Sequence, residues 1–561
     1  MRRLLIISLC CFMCVQIRAT YVPTPGSLRQ LFDSYNMWDW KSIAISGTIN
    51  GSDVKVLREW VRNDRTLDLS ECSIVKGGEP YYENYTTEDD VIGSYMFVFQ
   101  DWSLQKLVLP KNLKKIDDYA IGYCGEEIVL PSTLTWVGDH AFTANNFTRL
   151  HIPATLTHIG NGAFNGNILL ADVTLDETNP EYVLENGFLY TRDHTRLLSF
   201  FASVTDTWDC SRLLPQLKII DDKALNSHRI RNNITLPDGL EYIGEEAFKY
   251  VSYNTGFHQK KLVIPNSVTY IGASAFESSA TDSLIISDNV DSLRSYAFAN
   301  CNIDYIHLPA KLKYIGDYAL SNNNMRNFEL PDGVEWIGKK AVNHLSARRV
   351  VIPERVKYIA QEAFTYTLCD TIEIRAHLDS IPTKAFYGCQ SMKKIVLPAN
   401  LKRIGYNAFG ICRGLKDCKL PEGLEEIDSY AFSGCYIDEW HFPTSIRKIG
   451  RSAFPGRVSV YVYTQEPPAD VHEWAFDSSQ MNNSVLYVPV GSLENYQQKA
   501  PWNQFGTIRE FDPTAISLPS LDNPTEPVRI YNLDGRQVNT KSRGLHIFVM
   551  PNGKTKKVMC R

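Results

Sequence analysis

Residues 306–371 read IHLPAKLKYIGDYALSNNNMRN, then FELPDGVEWIGKKAVNHLSARR, then VVIPERVKYIAQEAFTYTLCDT. Pro309, Pro331 and Pro353 stand 22 residues apart. A fixed period of this size marks a stack of coils, each too small to bury its own apolar face. The alternation in IHL, FEL and VVI gives a very short strand with two residues inward. Proline then ends the ladder. Leu312, Val334 and Val356, followed by Ile315, Ile337 and Ile359, are the inward anchors of the next side. Gly316 and Gly338 suit a tight bend after that anchor. Ala319, Ala341 and Ala363 come next, and then an apolar filler such as Phe364. Burying one such ring is worth roughly 1.5–3 kcal/mol, repeated along the stack.

The same unit recurs outward in both directions. Upstream it appears as LVLPKNLKKIDDYAI, IVLPSTLTWVGDHAF, LHIPATLTHIGNGAF, ITLPDGLEYIGEEAF and LVIPNSVTYIGASAF. Downstream it appears as IVLPANLKRIGYNAF, CKLPEGLEEIDSYAF and WHFPTSIRKIGRSAF. IEIRAHLDSIPTKAF reads as a short unit with a displaced proline. About fourteen units are legible between Leu107 and Phe454. The pattern LP-x-x-L-x-x-IG-x-x-AF resembles the BspA-like leucine-rich repeat family of bacterial surface proteins. The resemblance implies a curved, right-handed, β-rich solenoid with a helical N-terminal cap and a small C-terminal β domain. Its functional implication is coarser, since some members resemble adhesins and many have no assigned ligand.

The rest of the chain exports or closes this stack. Residues 1–19, opening MRRLLIISLCCFMCV, read as a signal peptide, with two arginines before an apolar run. Cys11 and Cys14 have a CxxC spacing but fall in the segment to be removed, so no redox or metal role is expected. Cys10 follows Leu9 and Cys14 follows Met13, where a lipidation site needs small residues. Residues 20–100 form an N-terminal cap region. Within it Ser52 is placed to cap a helix carrying Val54, Leu57, Trp60 and Val61, and Leu67–Leu69 starts the first solenoid strand. The acidic, tyrosine-rich tract 77–90 lacks the spacing of a calcium loop and reads as solvated. Residues 101–457 are the solenoid, interrupted at about 176–200 by a hairpin of Phe188–Tyr190 and Arg196–Leu198 around a turn at Asp193 and His194. That hairpin is either a binding loop or a decoration that widens one coil. Residues 458–511 resemble a terminal cap, with Ser492 before a short helix that buries Leu493 and Tyr496. Residues 512–525 read as a linker. Residues 526–561, with turn signals at Asp534-Gly535 and Asn552-Gly553, resemble the sorting domain read by type IX secretion in Bacteroidetes.

Composition narrows the function. The chain has 561 residues, 44% of them hydrophobic, and a net charge of −5, which argues against nucleic acid as the main partner. After the N-terminus no apolar run is long enough to span a bilayer. HExxH, GxSxG, P-loop and GxGxxG motifs are absent. His472-Glu473 lacks a second metal-spaced histidine, and His151, His307 and His441 share a repeat position in well-separated coils, too distant to share an ion. No cofactor is expected. Cys124, Cys301, Cys389, Cys412 and Cys435 each lie four residues after the unit's alanine. They read as small core hydrophobes. Coils about 4.7–4.9 Å apart place neighbours within disulfide range, although parallel side chains favour free thiols.

The leading candidate site is aromatic. The residue before the second anchor is Trp136, Tyr242, Tyr270, Tyr314, Trp336 or Tyr358 in different coils, flanked by inward positions and therefore outward. Tyr314, Trp336 and Tyr358 come from consecutive coils and should stack into a stripe, either a binding face or aromatics suited to an exposed strand. The expected protein is a non-enzymatic, exported or surface-displayed adhesin-like protein. It would act as a monomer on a host extracellular-matrix protein, mucin or other cell-surface ligand. The alternative is a carbohydrate-binding accessory protein that uses Tyr242, Tyr270, Tyr314, Trp336 and Tyr358. An enzyme would need its acid/base pair in 172–212, where Asp193 and His194 look like turn residues.

Overall fold

A computed structural model describes residues 18–560 apart from 63–64, 100–103, 126–127, 202–206, 209–212, 231–232, 252–258, 456–457, 477–480, 514–528, 532–536, 539–543 and 550–554. The chain is a β-solenoid of about 20 turns. This exceeds the fourteen or so units legible in sequence because the outer turns lack the LP and AF signals. Most coils contribute two short strands, and equivalent strands pair in parallel, although FEL at 328–330, expected as a strand, is not one. On one side Val350, Ile372 and Ile395 are partners in register. On the next, Tyr314 pairs with Trp336 and Trp336 with Tyr358. The phenylalanines form the axis of the core. Phe364, Phe386, Phe409 and Phe432 stack with centroids 5.5, 5.5 and 5.2 Å apart.

The tight bends are not at Gly316 and Gly338. Left-handed backbone occurs just before the alanine, at Tyr318 (φ 58°), Lys340 (φ 49°) and Glu362 (φ 63°), and again three residues after it, at Asn322, His344 and Tyr366. A non-glycine residue in that region costs roughly 1–2 kcal/mol, which only a packed neighbour on each side can offset. Gly316 and Gly338 serve a different need. A Cβ on Gly316 would sit 2.9 Å from the carbonyl oxygen of Leu293, and one on Gly338 would sit 2.6 Å from the backbone nitrogen of Asp317. The glycine lets consecutive coils approach.

The cysteines are free and buried, and they are donors rather than bare hydrophobes. The thiols of Cys301, Cys389, Cys412 and Cys435 donate to the carbonyls of Phe276, Phe364, Phe386 and Phe409, each in the preceding coil, at 2.9–3.2 Å. In other coils Asn145, Asn167 and Asn323 make the same bond from the same position, at 3.3, 3.0 and 2.8 Å. This column gives a row of buried carbonyls a side-chain donor; Phe276, Phe364, Phe386 and Phe409 also accept a backbone N–H from three residues on, at 3.0–3.4 Å. Burial pushes the Cys124 and Cys301 thiols up to about 12.

The N-terminal stack starts earlier than Leu67. Arg18–Val22 and Ser42–Ile49 precede Arg65–Ile74 in one parallel sheet. The helix Gly51–Trp60 is capped by Asn50, not Ser52. The Asn50 side chain accepts from the Ser52 N–H at 3.1 Å, and Asp53 accepts from the Asn50 N–H at 3.0 Å. Tract 77–90 is a hairpin rather than a solvated loop. Gly77–Tyr82 pairs with Tyr85–Thr87, and Tyr81 and Thr87 are buried.

The insertion is a partition through the molecule. Tyr182–Glu185, Phe188–Thr191 and Arg196–Phe200 form antiparallel strands, with the turn at Asp193 and His194 as expected. Phe188, Tyr190, Leu197 and Phe200 face a core that runs to the C-terminal cap. Leu189, Leu198 and Phe201 face a second core that runs to the N-terminal cap. The insertion is therefore neither a free binding loop nor a surface ornament. Arg196 clamps it by donating to both oxygens of the buried Asp221 at 2.8 and 2.9 Å. Burial pushes the Asp221 carboxyl up to about 7, with the guanidinium partly opposing.

At the C-terminal end Ser459–Val462, Val485–Pro489 and Thr507–Phe511 continue the parallel sheet, and Tyr496 and Trp502 are buried beneath it. Ser492 precedes the helix Leu493–Gln497, but its hydroxyl donates back to the Pro489 carbonyl instead of capping. Arg529–Tyr531, Gln537–Val538, Gly544–Val549 and Thr555–Cys560 form an antiparallel sheet. Residues 1–17, most of the linker, and the turns at Asp534-Gly535 and Asn552-Gly553 lie outside the described residues.

Candidate functional site

The aromatic column stands on the second strand of each coil, where a two-residue bridge turns one side chain out and the next in. Trp136, Tyr314, Trp336 and Tyr358 are exposed, at 41%, 39%, 39% and 43%. Tyr242 and Tyr270 are half-buried, and burial pushes the Tyr242 phenol up. The column is not one stripe. Tyr242 and Tyr270 form a pair with centroids 4.5 Å apart. Tyr314, Trp336 and Tyr358 form a second set, at 6.0 and 3.9 Å. Trp136 stacks instead on His158. Because the strands are parallel and in register, the rings stack along the solenoid axis. Within each set the faces are taken by neighbours and the edges point to solvent.

Both sets end at a serine and at a break in the sheet. Among the described residues no strand pairing joins Tyr270–Ile271 to Ser292–Leu293, or Tyr358–Ile359 to Ser380–Ile381. The second break has a visible cause. In the joined coils on either side the residue after the anchor donates its N–H to the coil before: Gly316 to Leu293, Gly338 to Ile315, Ala360 to Ile337 and Gly405 to Ile381, each at 2.8 Å. Proline has no N–H, so Pro382 cannot do the same for Ile359. This unit is not shortened. Ile374, Leu378 and Ile381 keep the spacing of Ile352, Val356 and Ile359, with Arg375 where proline usually stands and Pro382 at the glycine position. The first-strand ladder and the Phe364–Phe386 stack continue across the junction, so the coils part on one face only.

A depression of about 790 Å³ opens there, with Tyr358, Gln361, His377, Ser380 and Pro382 in its lining. A larger hollow, about 1060 Å³, lies beside Tyr436 and Trp474. It is flanked in sequence by 456–457 and 477–480, outside the described residues, and no site is assigned to it.

Charges near the column are paired within the protein. Lys357 meets Glu335 at 2.5 Å, and Arg403 meets Asp428 at 2.9 Å. Among the described residues no group of three or more His, Cys, Asp or Glu side chains is arranged for a metal. His151 is bonded to Thr174, and His441 to Glu439 and Tyr463. Asp193 accepts from Thr191 and Thr195, which hold its carboxyl below the usual range, and His194 meets Glu185 at 3.2 Å. Sequence reading missed the role of Pro382, although its place in the glycine column was visible. It also missed a ladder of Tyr95, Tyr119 and His140, at 5.8 and 5.1 Å, on the N-terminal turns.

No functionally curated protein is significantly similar to the chain. Among solved structures it resembles a leucine-rich repeat protein from Eubacterium ventriosum ATCC 27560 (18% identity, 75% of this chain and 84% of that one, TM-score 0.32). It also resembles one from Bacteroides ovatus ATCC 8483 (19%, 72% and 89%, TM-score 0.33). A third is a leucine-rich cell surface protein from Faecalibacterium prausnitzii A2-165 (20%, 58% and 85%, TM-score 0.30). At such scores these whole-body superpositions carry no argument about the site. The repeat pattern is decisive: the BspA type leucine rich repeat region matches residues 90–207, 211–257, 250–373 and 337–461, in 6 copies. With most of its length matched, and a coil built from those same repeats, the chain belongs to the BspA-type leucine-rich repeat family.

Proposed function

We propose that the chain is a non-enzymatic, exported surface protein that binds a host extracellular-matrix protein, mucin or another cell-surface ligand along its repeats. The observation that carries this reading is the outward column. Each coil repeats the same exposed position one strand spacing further along, so a long ligand meets many similar contacts. Aromatic residues are the side chains that most often dominate such contacts. Lys357 beside the column is already paired with Glu335, which leaves the rings there as unspent contact area. The arginine-led apolar start supports export. The test is binding of the full mature chain to immobilised fibronectin, laminin, collagen and mucin, with a Tyr314→Ala/Trp336→Ala/Tyr358→Ala variant in parallel. Saturable binding to one of them that the triple variant weakens supports the reading; no binding to any overturns it.

A second reading, carbohydrate binding, is favoured by one observation: the aromatic column ends beside an open depression at Tyr358.

A further inference from the structure

The geometry points to a subsite for a neutral sugar ring at the junction of the coils carrying Tyr358 and Ser380, with the Tyr358 face as its floor. The inference rests on the carbohydrate reading and makes it local: one ring at one junction, rather than the stripe.

Sugars bind aromatic side chains through ring faces, and most faces in the column are already stacked. A set can offer a free face only at its ends. The C-terminal ends of the two sets differ. At the first, the Arg294 guanidinium lies 4.6 Å from the centre of the Tyr270 ring. Arg294 occupies the position after the second anchor. At the second, that position is Pro382, and among the described residues no ring or cation covers Tyr358 beyond its stack on Trp336. Tyr270 is half-buried and Tyr358 is exposed, in keeping with this difference. Pro382 both breaks the ladder and omits the cover.

The surroundings suit a polyol. Gln361, His377, Ser380 and Thr383 line the depression and have no side-chain hydrogen bond among the described residues. They supply donors and acceptors without a dominant charge. The two lysines of the lining, Lys339 and Lys357, are matched in number by Asp317 and Asp379. An anion-selective site would need one sign in excess, and an apolar ligand would waste the unpaired amide and hydroxyl groups. A ring with one apolar face and a girdle of hydroxyls matches both features.

The test is binding of the full chain to a printed array of neutral hexose and N-acetylhexosamine oligosaccharides, followed by titration of the best of them with Trp336 fluorescence as a second readout. Tyr358→Ala should weaken binding by about tenfold or more, the size of one well-packed aromatic contact. Tyr358→Phe should bind as the parent does, and Tyr305→Ala, at an exposed ring off the column, should leave binding unchanged. Pro382→Arg, which copies the Arg294 cover, should weaken binding like Tyr358→Ala, and it decides the matter if Tyr358→Ala fails to fold. Binding that survives both Tyr358→Ala and Pro382→Arg overturns the subsite and leaves the carbohydrate reading standing. An array without any bound glycan overturns both.

Discussion

The solenoid is interrupted twice in ways that look alike on paper and differ in space. At 182–200 the repeat vanishes and a foreign hairpin appears, yet every gap is filled. Phe188–Thr191 and Arg196–Phe200 are buried on both sides and form a wall between two cores. At Ile374–Phe386 the repeat is kept almost residue for residue, yet the coils part and leave a depression. A conspicuous departure from a repeat is therefore no guide to where a surface is open. The hairpin restores hydrogen bonds and packing, whereas one missing N–H at Pro382 removes a bond that nothing replaces.

Mutation can sharpen this contrast, and the filled break should show the largest effect. Arg196→Ala strands the buried Asp221 carboxylate and should cost about 3–5 kcal/mol at pH 8. Because the wall separates two cores, its thermal unfolding should split into two steps by calorimetry, while a single step would show that the halves remain coupled through the outer strands. The same carboxyl sets a pH dependence. Its folded value, about 7, lies above the ordinary 3.8. The folded form therefore holds the proton more tightly, and the stability it contributes is present below about pH 4 and lost as pH rises through about 7. The melting temperature should be higher at pH 5 than at pH 8, and Asp221→Asn should flatten that difference.

The unbroken stretch should respond less strongly. Cys412→Ala removes the thiol donor and leaves the Phe386 carbonyl with only the 3.4 Å bond from the Cys389 N–H, at a cost of about 1–2 kcal/mol. Cys412→Ser should cost less, because a hydroxyl can still donate. Equal losses in the two variants would mean that packing, not the hydrogen bond, matters at this position. The open break should show the smallest change. Pro382→Ala restores an N–H opposite the Ile359 carbonyl, and one added hydrogen bond is worth about 1 kcal/mol. Its informative readout is the Trp336 share of the tryptophan emission, taken as the difference from a Trp336→Phe partner among the ten tryptophans, which should shift as the coils close; an unchanged difference would place the cause of the gap elsewhere.

The sequence made the period, the phenylalanine axis and the outward aromatics legible, because each is a repeated choice of side chain. It hid features that depend on the neighbouring coil. Gly316 reads as a bend because glycine tolerates left-handed backbone, but the bends sit at Tyr318 and Asn322, and the glycine answers a crowding that only the coil before creates. Cys389, Cys412 and Cys435 read as core filler. Aligning them with Asn145, Asn167 and Asn323 would have exposed the shared need for a donor. The alternation in the hairpin was readable, but it suits a wall with two buried faces as well as a surface ribbon. The aromatic column was correctly placed on the outside, and its division into sets follows from Ser292 and Ser380 within it, but the different cover at the two ends follows from Arg294 and Pro382, which lie off the column.

The thiol column has a practical consequence. Cys124 is buried in the N-terminal core, and Cys301, Cys389, Cys412 and Cys435 are buried at intervals through the C-terminal one. Shielded, and pushed away from the reactive thiolate where burial raises them, they stay silent toward alkylating reagents while their coils are closed. Each becomes reactive when its own turn opens. The protein thus carries a graduated scale along its axis. Peptide mapping after a brief alkylation pulse in mild denaturant would record from which end the stack unwinds.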